Sequence, residues 1–255
     1  MKQHLFSRTE LLIGKEGLDR LKNSKVIVLG LGGVGSFTAE ALVRAGIGNL
    51  VIVDDDTVCL TNLNRQIHAK FDTISKPKVE VMRDRILNIN PKCNVEVYET
   101  FIKEDNIGEI IKEDADYVAD AIDTVSSKIS TIVWCKEKNI NIISCMGTGN
   151  KMDPTAFKVS DIYNTKICPL AKVMRYELRK RNVKELKVVY SEEAPLKPKL
   201  EEVITCKEGC VCTGGSKKCS HRRQIPGSIS FVPPVAGMIM AGEIIKDILK
   251  SEQTL

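Results

Sequence analysis

The sequence predicts an α/β fold: a Rossmann-like, mostly parallel sheet flanked by helices, with an inserted substrate region and a flexible Cys-rich loop. Three observations predict it. Short β-branched runs alternate with stretches of helical period through about residue 150. A glycine-rich turn, Gly30-Leu31-Gly32-Gly33-Val34-Gly35, joins the first such run to the first helical stretch. Beyond Pro195 the alternation gives way to a segment rich in Lys, Gly and Cys with little periodicity.

The elements follow in order. Lys25 to Leu29 is a strand that ends at Gly30, Ser36 to Ala45 is a helix, and Leu50 to Val53 is the next strand, closed by Asp54, Asp55 and Asp56. A strand–turn–helix–strand unit of this kind requires parallel pairing. Pro77 opens a helix that places Val79, Met82, Ile86 and Ile89 at helical spacing. Val95 to Tyr98, Tyr117 to Ile122 and Ile140 to Cys145 are further strands, with a helix at Lys128 to Lys138. Thr155 to Val159 and Val188 to Ser191 read as strands around a helix at Pro169 to Lys180. Pro195 to Arg223 reads as a long loop or flap. Pro233 and Pro234 open a last helix through Leu249, in which Gly237, Ala241 and Gly242 permit close packing. No internal repeat is present.

The 255 residues suit one large α/β domain, and 43% apolar residues supply its core. Lys and Arg total 38 against 33 Asp and Glu, a mild net charge of +5 that permits a nucleic-acid partner without requiring one. His4, Arg8 and Glu10 interrupt the apolar stretch at the N-terminus, which is the wrong pattern for secretion. With nine cysteines and no leader pattern, the expectation is a cytoplasmic protein with mostly reduced thiols. Ile229 to Leu249 is apolar, but Pro233, Pro234, Glu243, Lys246 and Asp247 argue against a membrane span.

The glycine turn follows a strand and opens a helix, so its backbone N–H groups can approach phosphate. Asp54 ends the next strand, where a carboxylate can hold ribose hydroxyls. These two features alone also describe a dinucleotide-dependent dehydrogenase. The residues that follow point elsewhere. Arg65, within Asn62-Leu63-Asn64-Arg65-Gln66, can fork onto phosphate oxygens, and Lys78 places a point charge at the first turn of a helix. Asp123, closing Asp120-Ala121-Ile122-Asp123, offers a hard oxygen ligand to Mg²⁺. Taken singly, Lys76 and Lys78 fit a solvated basic helix and Asp123 fits a helix N-cap. Their joint occurrence at successive strand ends favours a triphosphate site.

Gly30 to Ser36, Asp54 to Gln66, Lys78 and Asp123 together resemble the ubiquitin-activating-type adenylation superfamily, which includes MoeB and ThiF. The resemblance implies one adenylation domain over residues 1–255: a nucleotide-binding core at 1–153, a substrate region with the Cys-rich loop at 154–228, and a C-terminal helix at 229–255. It implies ATP at Gly30, Gly32, Gly33, Gly35, Asp54, Asp56, Asn62, Arg65, Gln66, Lys78 and Asp123, with Mg²⁺ at Asp123. It gives catalytic roles to Arg65, Lys78, Asp123 and Arg8. Arg8 would reach the ATP of a partner subunit, which implies a homodimer. The bland reading of Arg8 is a surface arginine.

Asn64-Arg65-Gln66-Ile67-His68-Ala69, Gly147 to Pro154, Asp161 to Arg181 with Pro169-Leu170, and Tyr190-Ser191-Glu192-Glu193 are similar to one branch, the tRNA threonylcarbamoyladenosine dehydratases. That resemblance covers nearly the whole chain and is weakest from Pro195 to Arg223. It implies that ATP activates the threonine carboxylate of threonylcarbamoyladenosine, beside the tRNA anticodon, as an acyl-adenylate that then cyclises. Lys166, Lys172, Arg175, Arg179, Lys180, Arg181, Lys184 and Lys187 make a basic stretch able to meet tRNA phosphates, with Lys172, Arg175 and Arg179 as the named contacts. The alternative is a solvated helix face. Tyr163 and Tyr176 read as core residues, with base stacking as the second reading. The rival enzyme adenylates the C-terminal carboxylate of a small sulfur-carrier protein. A nucleotide-binding adaptor is the non-catalytic rival.

Cys206, Cys210, Cys212 and Cys219, followed by His221, have the spacing C-x3-C-x-C-x6-C-x-H. Three readings stand: a Zn²⁺ site, a sulfur-accepting or redox thiol that meets a sulfur-transfer or cysteine desulfurase-type partner, and unremarkable loop cysteines. The paired C-x-x-C sequences of MoeB-like zinc sites are absent. Cys59, Cys93, Cys135 and Cys145 read as packing residues.

Overall fold

Aliphatic runs form the strands because both faces of the sheet are covered. Strand β1 (Lys25–Leu29) buries its last four residues, and so does β2 (Asn49–Val53). The other strands are β3 (Asn94–Tyr98), β4 (Tyr117–Asp120), β5 (Asn141–Cys145), β6 (Phe157–Asp161) and β7 (Lys187–Ser191). In the computed structural model, which describes residues 3–199 and 226–250, they form one sheet in the order β3-β2-β1-β4-β5-β7-β6. Every pairing is parallel except β6 with β7. The region predicted as an insertion therefore continues the sheet at its β5 edge.

The helices are α1 (Ser7–Asn23), α2 (Gly35–Ala45), α3 (Lys78–Ile89), α4 (Ile107–Ile110), α5 (Val125–Glu137), α6 (Pro169–Lys180) and α7 (Val232–Lys250). Alternate strand residues face opposite ways. Val26, Val28, Leu50 and Ile52 pack under α2, α3 and α7. Ile27, Leu29, Val51 and Val53 pack under α4, α5 and α6. The sheet thus separates two apolar layers.

Several elements differ from the sequence reading. Strand β4 stops at Asp120 rather than Ile122, because the Ile122 N–H turns back to the Asp120 carboxylate at 3.1 Å. Strand β6 begins at Phe157, because Asp153 accepts the Thr155 N–H and organises a 3₁₀ turn over Pro154–Ala156. Helix α5 begins at Val125, ahead of the expected Lys128. Helix α1 was not expected at all. It kinks at Gly14 and buries only Gly17 and Leu21, while Leu11 and Leu12 are each 87% exposed, so it has no apolar stripe to read.

Among the described residues, no helix is long and apolar enough to cross a membrane. Helix α7 lies instead against α2, where Gly237 is essential to the approach: a Cβ there would sit 2.4 Å from the Val34 carbonyl oxygen. Thr38 Oγ1 donates to the Gly237 carbonyl at 3.2 Å across the same contact. Cys93, Cys135 and Cys145 are buried free thiols, as expected, and so is Cys168. Cys59 is a correction: it is half-buried at the rim of a cleft, and its sulfur is held in a disulfide. The cysteines and histidine at 206–221, and most of the expected flap, lie outside the described residues.

Gly237→Ala is expected to force α2 and α7 apart and to destabilise the protein by about 1–3 kcal/mol. A thermal melt checks this, and an unchanged midpoint would mean the contact is not tight.

Candidate functional site

The strand order reverses between β1 and β4. Successive connections from β1 run one way to β2 and β3, and the chain then returns to place β4 on the other side of β1. In such sheets ligands bind outside the carboxyl ends of the strands at that switch point. A cleft of ≈ 430 Å³ opens there. A wider recess of ≈ 910 Å³ lies near the amino ends of β1, β4 and β5, lined by residues such as Asp116, Asn141 and Asp247, and among the described residues the glycine loop does not reach it.

The glycine loop forms one wall. Gly30 has φ +84°, and a Cβ on it would lie 2.9 Å from the Ala121 carbonyl oxygen. A Cβ on Gly35 would lie 1.7 Å from the Gly30 carbonyl oxygen, so Gly35 closes the loop on itself. The smallness of Gly35 is thus used against Gly30. Gly30, Gly32 and Gly33 do line the cleft. A Cβ on Gly32 would meet no protein atom, so that position faces open space.

The acidic strand end forms the adjoining wall. Asp54 Oδ2 accepts the Leu31 N–H at 2.6 Å and Oδ1 accepts the Asp56 N–H at 2.9 Å. Asp54 therefore ties the end of β2 to the glycine loop. Burial pushes its carboxyl above the ordinary value, against the pull of Lys78. Lys78 is the first residue of α3 and only 5% exposed. Its Nζ lies 3.0 Å from Asp56 Oδ2 and 3.6 Å from Asp54 Oδ1, and its backbone N–H donates to the Asp56 carbonyl. The solvated-helix reading of Lys78 thus fails. Arg65 donates to the Thr61 carbonyl at 2.8 Å and to Asn64 Oδ1 at 2.9 Å, which steers its guanidinium along the cleft edge. Asn62 Oδ1 accepts the Cys59 N–H at 3.0 Å and shapes this turn. Asp54, Asp56, Asn62, Arg65, Gln66, Lys78 and Asp123 all line the same cleft.

Asp123 enters from the end of β4. The residue capping α5 is Thr124, so Asp123 is not the N-cap that the bland reading proposed. Carboxylate oxygen suits Mg²⁺. The acidic triplet Asp54, Asp55 and Asp56 also brings its oxygens within 4.8 Å of one another. In that triplet, Asp54 already accepts two backbone N–H groups.

Two residues that the sequence reading missed lie directly beneath. Asp120 and Lys128 are both 0% exposed, with Lys128 Nζ 2.9 Å from Asp120 Oδ2. A signal was available: Lys128 shares a helix face with Ile132 and Cys135, and a cation on an apolar face requires a buried partner. Thr100 to Ile102, Gly147 to Gly149, Leu170 and Pro233 complete the lining.

The remaining predicted residues lie elsewhere. Arg8 is exposed on α1 and does not line its own chain's cleft. Lys172 is exposed on α6. Arg175 folds back to donate to the Thr165 carbonyl at 3.0 Å and to Thr165 Oγ1, so it braces α6. Arg179 lies 5.1 Å from the Tyr163 ring centroid. Lys187 pairs with Asp247 at 2.6 Å, which draws it out of the basic stretch. Tyr163 packs against the core as expected. Tyr176 does not: it is 61% exposed, with Lys180 Nζ 4.0 Å from its ring centroid. The helical face that carries it points away from Ala171, Met174 and Leu178.

Comparison with known proteins agrees with this geometry. The ThiF family profile matches residues 6–255. A tRNA threonylcarbamoyladenosine dehydratase of Bacillus subtilis (strain 168) is 45% identical over 248 residues, 97% of this chain and 95% of that protein. The crystal structure of E. coli tRNA N6-threonylcarbamoyladenosine dehydratase, TcdA, in complex with ATP is similar with a TM-score of 0.83 at 33% identity. It covers 96% of this chain and 94% of that one. A molybdopterin-synthase adenylyltransferase of Haemophilus influenzae is more distant, 36% identical over 129 residues, 51% of this chain and 53% of that protein.

His68, in the turn after Arg65, is 1% exposed, and neither ring nitrogen has a hydrogen-bond partner among the described residues. Burial, then Lys78 and Arg85, lower its pKa from 6.5 to about 3. Below pH 6.5 the unfolded chain binds a proton that the fold does not, so stability falls as pH drops from 6.5 towards 3. The expected slope from this group is about 1.4 kcal/mol per pH unit. Denaturant titrations of His68→Leu should show a flatter decline across that window, and an identical slope in both proteins would refute the buried neutral imidazole.

Proposed function

Because this chain belongs to the ThiF family, we infer that it uses ATP to convert threonylcarbamoyladenosine in tRNA to its cyclic form, as a tRNA threonylcarbamoyladenosine dehydratase. The observation that carries the reading is the 45% identity to such an enzyme across 97% of the chain, with the expected phosphate-binding side chains converging on one cleft. The rival sulfur-carrier reading has weaker support, since the molybdopterin-type relative matches only 51% of the chain.

The chemistry follows from the walls of the cleft. Glycine-loop N–H groups at the start of α2 face the phosphates of ATP, and Asp54 faces its ribose. Val53, Phe101 and Ile102 offer an apolar wall for the adenine. Arg65 and Lys78 stabilise charge as the threonine carboxylate attacks the α-phosphate and pyrophosphate leaves. The carbamoyl oxygen of the same side chain then attacks the activated carbonyl carbon, AMP departs, and the carbamoyl nitrogen loses its proton. The sum is loss of one water from the nucleoside, coupled to cleavage of ATP to AMP and pyrophosphate. Intramolecular attack has a high effective molarity, so no enzyme nucleophile is needed. Mg²⁺ held by Asp123 would supply charge neutralisation at the phosphates.

The finer assignments extend this reading. Residues 1–153 serve the nucleotide, and 154–228 serve the tRNA. Lys172 and Arg179 on α6 meet tRNA phosphates, with Arg175 bracing the helix. Exposed Arg8 fits a contribution to a second subunit's cleft in a homodimer. A cytoplasmic location fits a substrate of modified tRNA and ATP. A zinc ion or a sulfur-transfer partner at the 206–221 cluster is a separate reading that the proposed chemistry does not require.

Mass spectrometry of nucleosides from threonylcarbamoyl-modified tRNA, incubated with the protein, ATP and Mg²⁺, should show an ATP-dependent loss of about 18 mass units, the mass of the water lost. Asp123→Ala and Arg65→Ala should each slow that loss by at least about a hundredfold. No mass change in the wild type, with ATP still turned over, would shift the substrate to a carrier-protein carboxylate. Replacing Lys172 and Arg179 by Ala should weaken tRNA binding and flatten its salt dependence by roughly two phosphate contacts, with ATP affinity unchanged. Unchanged tRNA affinity at physiological salt would remove α6 from the contact surface.

A further inference from the structure

The floor of the cleft is the backbone at Ala121 and Ile122, and Ile122 is gripped at both of its polar backbone groups. Its N–H donates to Asp120 Oδ1 at 3.1 Å, and its carbonyl accepts from Lys128 Nζ at 3.1 Å. The two gripping side chains are joined to each other at 2.9 Å. Ser144 Oγ, from β5, donates to Asp120 Oδ2 at 2.6 Å and fixes the carboxylate from below. Both charged side chains are 0% exposed.

A fully buried ion pair is a poor device for stability alone. Removing two charges from water costs several kcal/mol per ion, and apolar replacement of the whole pair is often neutral or stabilising. The geometry indicates another use. The backbone so fixed touches both working parts of the nucleotide site. Its Ala121 carbonyl is the atom against which Gly30 packs, and its next residue is Asp123. Neither Asp120 nor Lys128 lines the cleft, so neither can touch nucleotide directly.

We propose that Asp120 and Lys128 are a positioning pair for the adenylation site: by clamping Ile122 they set the glycine loop and aim Asp123 into the cleft. The inference rests on the adenylation reading of that cleft. It assigns the pair no proton transfer and no contact with substrate.

The test uses the full chain and three variants. Lys128→Met leaves Asp120 buried without its counter-ion and should lower the melting temperature. Asp120→Asn with Lys128→Met removes both charges at similar volume and should melt close to the wild type. In that double variant the Ile122 carbonyl still lacks its donor, so kcat for AMP formation should fall about a hundredfold and ATP affinity by calorimetry should fall with it, while tRNA affinity holds. A merely structural pair predicts recovery of turnover together with stability. Wild-type kcat and ATP affinity in the folded double variant would therefore overturn the proposal. Should the double variant not fold, Ser144→Ala loosens Asp120 without changing charge and, assayed well below its lowered melting temperature, should reduce kcat about tenfold. Full activity in Ser144→Ala would then overturn it. If the wild type binds ATP but never dehydrates the nucleoside, the substrate reading fails, and loss of ATP affinity in the double variant would still support the positioning role.

Discussion

The spacing between two loop backbones, the one after β1 and the one after β4, governs everything else in the cleft. Gly30 can approach Ala121 because it lacks a Cβ, and Gly35 lets the same loop fold back on Gly30. The β4 side of that contact is held from inside the protein, where Asp120 and Lys128 bind the two polar backbone groups of Ile122. One side of the contact is therefore made by the absence of side chains and the other by a pair of buried charges. A parallel sheet with a reversal in strand order supplies the crevice, and this contact gives the crevice its floor.

Around that floor the charges compensate one another before any ligand arrives. Asp54 is occupied by two backbone N–H groups, and Lys78 is shared between Asp54 and Asp56. A buried cation with carboxylates on one side presents its remaining field to the cleft, where phosphate would lie. Arg65 donates to Thr61 and Asn64 within its own turn. Lys78 is thus fixed and partly neutralised by its carboxylates, and Arg65 lines the same cleft from the turn that follows β2.

The second half of the chain is less separate than its composition suggests. Strands β6 and β7 extend the nucleotide-binding sheet, and α6 packs three apolar residues onto the same layer as α5. The basic helix is thereby anchored close to the cleft, since Leu170 in its first turn contributes to the lining. Its cations are not equivalent. Arg175 supports the helix, Arg179 lies over Tyr163, and Lys172 faces outward.

The sequence by itself determined the fold class, the strand that carries the glycine loop, and the side chains Asp54, Asn62, Arg65, Lys78 and Asp123 that meet in the cleft. These were legible because the constraints are local. A strand ends where a glycine turn begins, and a helix starts where a proline allows it. The tertiary structure alone decided the rest. That Gly35 packs against Gly30 depends on how the loop closes. That Tyr176 is exposed and Cys59 lies at the cleft rim depends on which faces other elements cover. That α1 is a helix depends on the few residues it buries, because its apolar pattern is too weak to announce it. That Lys128 finds Asp120 depends on β4 and α5 meeting beneath Ile122. Periodicity and turn chemistry act between near neighbours, whereas burial and ion pairing are decided by partners that only the folded chain brings together.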